Sequence, residues 1–247
     1  MSTLTRDTVT VLGRELRPLI RQPFGMLISL AQPLVFLALF APLLPPMPSG
    51  SALQWFVPGI VCMSCLLGAS MTGANLLSEM ATGSHERLLV SPLSRPALPI
   101  GRTLKEIVPV FAQTAVIVAI VTPFSFELHL APLLVGLAIL AVFCVGVGAF
   151  SFALALASKN QDWLFWTVQQ TLIFPVLLLA GVLLPVDGGP GWLRTLSAAN
   201  PLTYVVDAER TLFAGSWAPS TVLAGLVAAL AVAAVGIAVG LRGMRRC

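Results

Sequence analysis

The chain has 247 residues, 57% hydrophobic and 10% charged, with a mean hydropathy of +0.94. A soluble domain carries about a quarter charged residues, and 14 Lys+Arg with 10 Asp+Glu cannot solvate a globule of this size. That excludes a soluble enzyme, a disordered chain and a disulfide-stapled secreted domain, and it points to a bilayer.

Residues 1–23 hold Arg6, Arg14, Arg17 and Arg21 and no apolar run, so they do not read as a secretory signal. Val9, Leu12, Leu16, Leu19 and Ile20 recur at helical spacing with the arginines on the other face, predicting an amphipathic helix on the membrane surface. Six uncharged runs follow, at 24–44, 53–77, 107–126, 130–157, 163–186 and 218–241. About 20 apolar residues in a helix cross the hydrocarbon, and only helices and closed barrels satisfy the backbone there. The runs lack the alternation of barrel strands, so the predicted fold class is an all-α polytopic membrane protein with six transmembrane helices, read as one domain over 1–247.

Six spans place both termini on one side. Twelve of the fourteen Lys and Arg fall on that side, leaving Arg194 and Arg210 opposite. The excess of positive charge predicts that the termini, the 78–106 loop and the 158–162 loop are cytoplasmic and that 187–217 is external. The net charge of +4 is therefore a topology signal and does not suggest nucleic-acid binding. Twelve arginines against two lysines suggest a GC-rich bacterial genome, hence a bacterial plasma membrane.

The 78–106 loop contains Gly83, which breaks the preceding helix, and Ser84, a good N-cap, with Glu86 in the first turn and Pro92 as a stop. A short segment with Leu88, Leu89 and Val90 between Arg87 and Arg95 reads either as a docking element or as a helix resting on lipid. In the external segment, Asp207, Glu209 and Arg210 read by themselves as part of a solvated loop. Gly236-x-x-x-Gly240 is a weak signal for close helix packing.

Catalysis lacks its residues. The two histidines, His85 and His129, lie in connections, and His85-Glu86 has no second histidine to complete a zinc-protease motif. Cys62 and Cys65 form an isolated C-x2-C pair within a run, so packing is the expected role, with no metal site and no disulfide. Neither Lys105 nor Lys159 follows a glycine, so no P-loop is expected and any ATP-driven work needs a separate polypeptide. The deep polar groups are neutral: Gln32, Asn75, Gln113, Gln169 and Gln170, read either as interhelical hydrogen-bonders or as substrate contacts. An ion-coupled carrier is the competing reading, weakened by the lack of charge in the runs.

Three stretches carry a family resemblance: Glu79, Gly83 and the run His85-Glu-Arg-Leu-Leu-Val-Ser-Pro-Leu-Ser-Arg95 ahead of Gly101-Arg102; Arg14 through Pro23 with Gln32-Pro33; and Leu179 through Pro185 with Pro190-Gly-Trp192, Asn200 through Tyr204, Asp207 and Arg210. Together they resemble ABC-2 type transporter permeases, most of all the daunorubicin-resistance type of drug-efflux permease. The resemblance implies a type V exporter-like fold with an N-terminal interfacial helix and short external re-entrant helices, which would leave Asp207, Glu209 and Arg210 partly buried. It implies two ABC ATP-binding subunits as partners, a second permease copy as homodimer or related heterodimer, and contact with membrane lipid. It places ATP and Mg in the partner and no cofactor in this chain. Coupling to the ATPase would fall to Glu79, Ser84, His85, Glu86, Arg87, Leu88, Leu89 and Arg102. A substrate cavity would be lined by Gln32, Asn75, Gln113, Gln169 and Phe174. The expected cargo is a hydrophobic or amphipathic drug or natural product, with lipid or polysaccharide export as the alternative.

Overall fold

The computed structural model describes residues 3–21, 23–43, 52–84, 97–123, 126–159, 161–186 and 188–245. Every regular element among them is helical: α1 (Thr3–Arg21), α2 (Pro23–Phe40) with a single 3-10 turn at Ala41–Leu43, α3 (Ala52–Ala81), α4 (Ala97–Lys105), α5 (Ile107–Val121), α6 (Leu130–Ala157), α7 (Asp162–Leu179), α8 (Gly191–Ala199), α9 (Pro201–Phe213) and α10 (Pro219–Arg245). Five of these stretches are long and apolar enough to cross a membrane: Ala52–Ala81, Ala97–Val121, Leu130–Ala157, Asp162–Leu179 and Pro219–Met244. The first uncharged run gives a shorter apolar helix, Ile28–Phe40. The chain is a multi-pass, all-helical membrane protein.

The helix ends depart from the uncharged runs where backbone chemistry intervenes. The third run extends to Phe126, but α5 stops at Val121, just short of Pro123. At its other end the helix begins far earlier than the run, at Ala97, and is hinged at Glu106. Pro109, in the first turn of α5, has no N–H to give to the preceding turn. The fifth run extends to Val186, whereas α7 ends at Leu179 and the chain turns at Gly181, with φ 66°.

Helix α6 is the hub, packed against α3, α4, α9 and α10. Its contact with α10 is the most extensive among the described helices, because Gly146 and Gly236 let the two backbones touch where any side chain would collide. Between α6 and α3, the Ser151 hydroxyl donates to the Ser70 carbonyl at 2.5 Å and accepts from the Gly73 N–H at 3.0 Å. The core holds the aliphatic and aromatic side chains of α3, α6 and α9, including Phe56, Ile60, Leu140, Phe143 and Leu212. Cys62, Cys65 and Cys144 sit within it as free thiols.

Helix α3 spans 30 residues, about 45 Å at 1.5 Å per residue. That exceeds the hydrocarbon thickness, so its C-terminal turns project beyond it and carry Glu79 into a polar zone. At the opposite end, Gln54 in the first turn of α3 donates to the carbonyls of Phe213 at 2.5 Å and Glu127 at 3.1 Å, and accepts from the Glu127 N–H at 3.1 Å. One amide thus ties three segments together.

Candidate functional site

Among the described residues, the densest polar constellation gathers where α1, α3 and the α4–α5 hinge meet. On α3, Thr72, Leu76 and Glu79 follow one another along one face. On α4, Arg102 is separated by one turn from Lys105 and Glu106, and on α1, Glu15 lies one turn beyond Val11. Val11 packs against Gly101, which seats α1 on α4. Val11 is buried there, while Val9, on the apolar face predicted for the membrane surface, is 59% exposed.

Arg102 pairs directly with Glu79 and lies 3.6 Å from Glu15. Lys105 bridges Glu15 at 3.7 Å and Glu106 at 3.3 Å, and Thr72 donates to Glu106 at 3.5 Å. The Arg102 guanidinium also lies over the Phe152 ring of α6, at 5.8 Å. Its side chain is only 3% exposed. A buried cation of this kind persists only when paired, because removing one partner leaves an uncompensated charge. The clamp therefore exists only while α1, α3, α4 and α6 keep this arrangement. Arg14 adds a contact to the Ser84 hydroxyl at 3.4 Å.

Of the residues that the resemblance assigns to coupling, Glu79 and Arg102 are joined, and Ser84 lies beside them through Arg14. His85, Glu86, Arg87, Leu88 and Leu89 fall outside the described residues. Glu15, Lys105, Glu106 and Thr72 belong to the same clamp and were not picked out from sequence. A signal was available. Acids are scarce in this chain, and three of its ten, Glu15, Glu79 and Glu106, converge here.

The five residues predicted to line a substrate cavity do not come together. Gln32, Asn75 and Phe174 are exposed on the outer surface, Phe174 at 61%. Gln113 is buried and donates to the Ser29 hydroxyl at 2.7 Å, holding α5 to α2. Gln169 lines a cavity of about 530 Å³ between α6, α7 and α10. Helical periodicity tells which residues share a face but not which face meets a neighbour.

At the end of the bundle opposite the clamp, α9 replaces the solvated loop expected there as one alternative. Asn200 caps it, accepting from the Leu202 N–H at 3.1 Å, with Pro201 in the first turn. Asn200 also donates to the Val176 carbonyl of α7 at 2.7 Å. Arg210 stacks on Trp55, 3.8 Å from the ring centroid, and donates to the Gly181 carbonyl at 2.7 Å. Glu209 is fully buried on the opposite face, against Gly136 of α6, whose missing side chain leaves the space. Neither carboxyl oxygen has a hydrogen-bond partner among the described residues. Burial pushes this carboxyl up to about 8, so it holds its proton at neutral pH.

A family model, ABC-2 type transporter, matches residues 6–214. The chain belongs to the ABC-2 type transporter family. It is 30% identical over 206 residues to the transport permease ycf38 of Cyanophora paradoxa, covering 80% of this chain and 71% of the relative. It is 25% identical over 241 residues to the daunorubicin resistance ABC transporter permease protein DrrB1 of Streptomyces coeruleorubidus, covering 93% and 85%. It is 26% identical over 204 residues to the doxorubicin resistance ABC transporter permease protein DrrC of Mycobacterium tuberculosis, covering 78% and 71%. These relatives are named as transport permeases, and the ABC-2 chain described here is homologous to the drug-resistance members.

Proposed function

We propose that the chain is the transmembrane permease subunit of an ATP-driven ABC exporter that expels a hydrophobic or amphipathic drug or natural product. The observation that carries the reading is the buried clamp of Glu15, Glu79, Arg102, Lys105 and Glu106 in an ABC-2 family member. It brackets residues 85–96 from both sides, with Glu79 and Ser84 before them and Arg102 after them. A force applied to that segment reaches α3, α4 and α1 together, since close-packed interiors transmit displacement and do not absorb it.

In this reading the clamp end is cytoplasmic, α2 completes a set of six spans, and α1 rests on the inner surface of a bacterial plasma membrane. Residues 85–96 dock on an ATP-binding subunit, and two such subunits serve two permease copies. ATP and Mg belong to the partner. Nucleotide binding draws the ATP-binding subunits together, the docked segments follow, and the clamp passes the movement to the spans. Such a switch requires that nucleotide distinguish the two states energetically.

Co-expression with an ATP-binding subunit from the same organism, followed by purification and reconstitution, tests this. The expected result is a stable complex whose ATP hydrolysis responds to apolar drugs, with that response lost in Arg102→Ala. Gradient-driven flux by this chain alone without nucleotide, or labelling of a cysteine placed at Ser84 from outside intact cells, would overturn it.

A further inference from the structure

Helix α1 divides into three stripes at the helical period. Val11 and Glu15, one turn apart, face the protein: Val11 packs on Gly101, and the Glu15 side chain, 10% exposed, meets Arg102 and Lys105. Val9, Leu12 and Leu16 form a second stripe about a third of a turn away, with Val9 exposed and both leucines half-buried. Arg6, Arg14, Arg17 and Arg21 form the third, and all four are exposed.

The clamp decides the charge of this surface. The acids of α1 are Asp7 and Glu15. Glu15 is engaged by Arg102 and Lys105, and Asp7, half-buried one turn before Val11, belongs to the protein-facing stripe. Among the described residues, no ion pair includes Arg6, Arg17 or Arg21. Arg14 leans back to the protein, to the Ser84 hydroxyl. Three guanidinium groups therefore border an exposed apolar stripe with no acid to offset them. An acidic protein surface matches the charges only. A phospholipid matches both stripes at once, its phosphate taking the arginines and its acyl chains the apolar side chains. A zwitterionic headgroup carries its own cation and gains less from the arginines than an anionic one.

We propose that Arg6, Arg17 and Arg21 form a binding surface for anionic phospholipid headgroups. Because Val11 and Glu15 fasten the same helix to α4, lipid that binds the docked helix favours the docked arrangement of the clamp. The inference rests on the reading that lays α1 on the inner membrane surface, and it adds the charge class of the lipid. Lipid binding needs neither nucleotide nor an ATP-binding subunit, so its failure and the failure of the export reading are separable.

The test titrates the purified full-length chain in detergent, without nucleotide, with dioleoylphosphatidylglycerol or dioleoylphosphatidylcholine and counts bound lipid by native mass spectrometry. Phosphatidylglycerol should bind at least roughly fivefold more tightly, the contribution of one arginine at an anionic surface, and the preference should shrink at high salt. The triple variant Arg6→Gln, Arg17→Gln, Arg21→Gln should bring the two lipids level, and Arg17→Gln alone should lose part of the preference should the triple variant fail to fold. Arg194→Gln, on α8, removes the same charge from another exposed site and should change nothing. Hydrogen exchange across residues 3–21 should be slower in phosphatidylglycerol nanodiscs than in phosphatidylcholine ones, and equal in both for the triple variant. Equal affinity for the two lipids, a preference that survives the triple variant or is lost as much in Arg194→Gln, or exchange across α1 that ignores the lipid would each overturn the proposal.

Discussion

Replacing Glu209 by Gln removes a titrating proton while keeping nearly the same shape in the niche opposite Gly136. In the folded chain the carboxyl holds its proton up to about pH 8, against 4.5 for the ordinary group. A group whose proton affinity is raised by folding contributes its full stability below the unfolded value and loses that contribution as pH rises through the folded one. The window is therefore about pH 4.5 to 8. At about 1.4 kcal/mol per pH unit, the unaltered protein loses ~5 kcal/mol across it through this residue alone. Glu209→Gln carries no such penalty. Thermal unfolding of both proteins in detergent should give nearly equal Tm values at pH 5 and a variant that melts roughly 10 °C or more higher at pH 8.5. Taking the difference between the two proteins cancels Cys62, Asp207, Arg210 and other groups that both retain. A Tm difference independent of pH would refute the argument, because it would mean that the carboxyl titrates alike in the folded and unfolded chain.

Arg102→Ala should cost ~3 kcal/mol, read as a fall in Tm, by leaving the half-buried Glu79 without its cation and Glu15 with Lys105 alone. Adding Glu79→Ala should restore part of that loss, and no recovery would count against the pairing. Gly236→Leu should destabilise the α6–α10 contact by at least ~1–3 kcal/mol, since its side chain meets the Gly146 backbone. Arg210→Ala should cost ~2–3 kcal/mol through loss of the Trp55 stack and the hydrogen bond to Gly181. It should also alter the emission of Trp55, while Arg194→Ala, on an exposed residue, should leave it unchanged.

The membrane class, the helical architecture and the family were legible before any coordinate, because they rest on quantities that local sequence carries: run length, charge scarcity and motifs. Glu79 and Arg102 were legible for the same reason, as parts of a motif. Glu15 was not, since an acid among arginines on an amphipathic helix looks like surface until α4 is placed against it. The deep amides show the opposite limit. Gln113 and Gln169 look alike in a sequence, yet one is held by Ser29 of α2 and the other is buried beside a cavity between α6, α7 and α10.

The residues alone determined that this chain lives in a bilayer as a bundle of helices, because the cost of burying charge and of leaving backbone unpaired is paid residue by residue. Only the tertiary structure decided which polar groups meet. Ion pairing and burial depend on distances between helices far apart in the chain. Those distances were set by the glycine contact of α6 with α10, the hinge at Glu106 and the seating of α1 on α4.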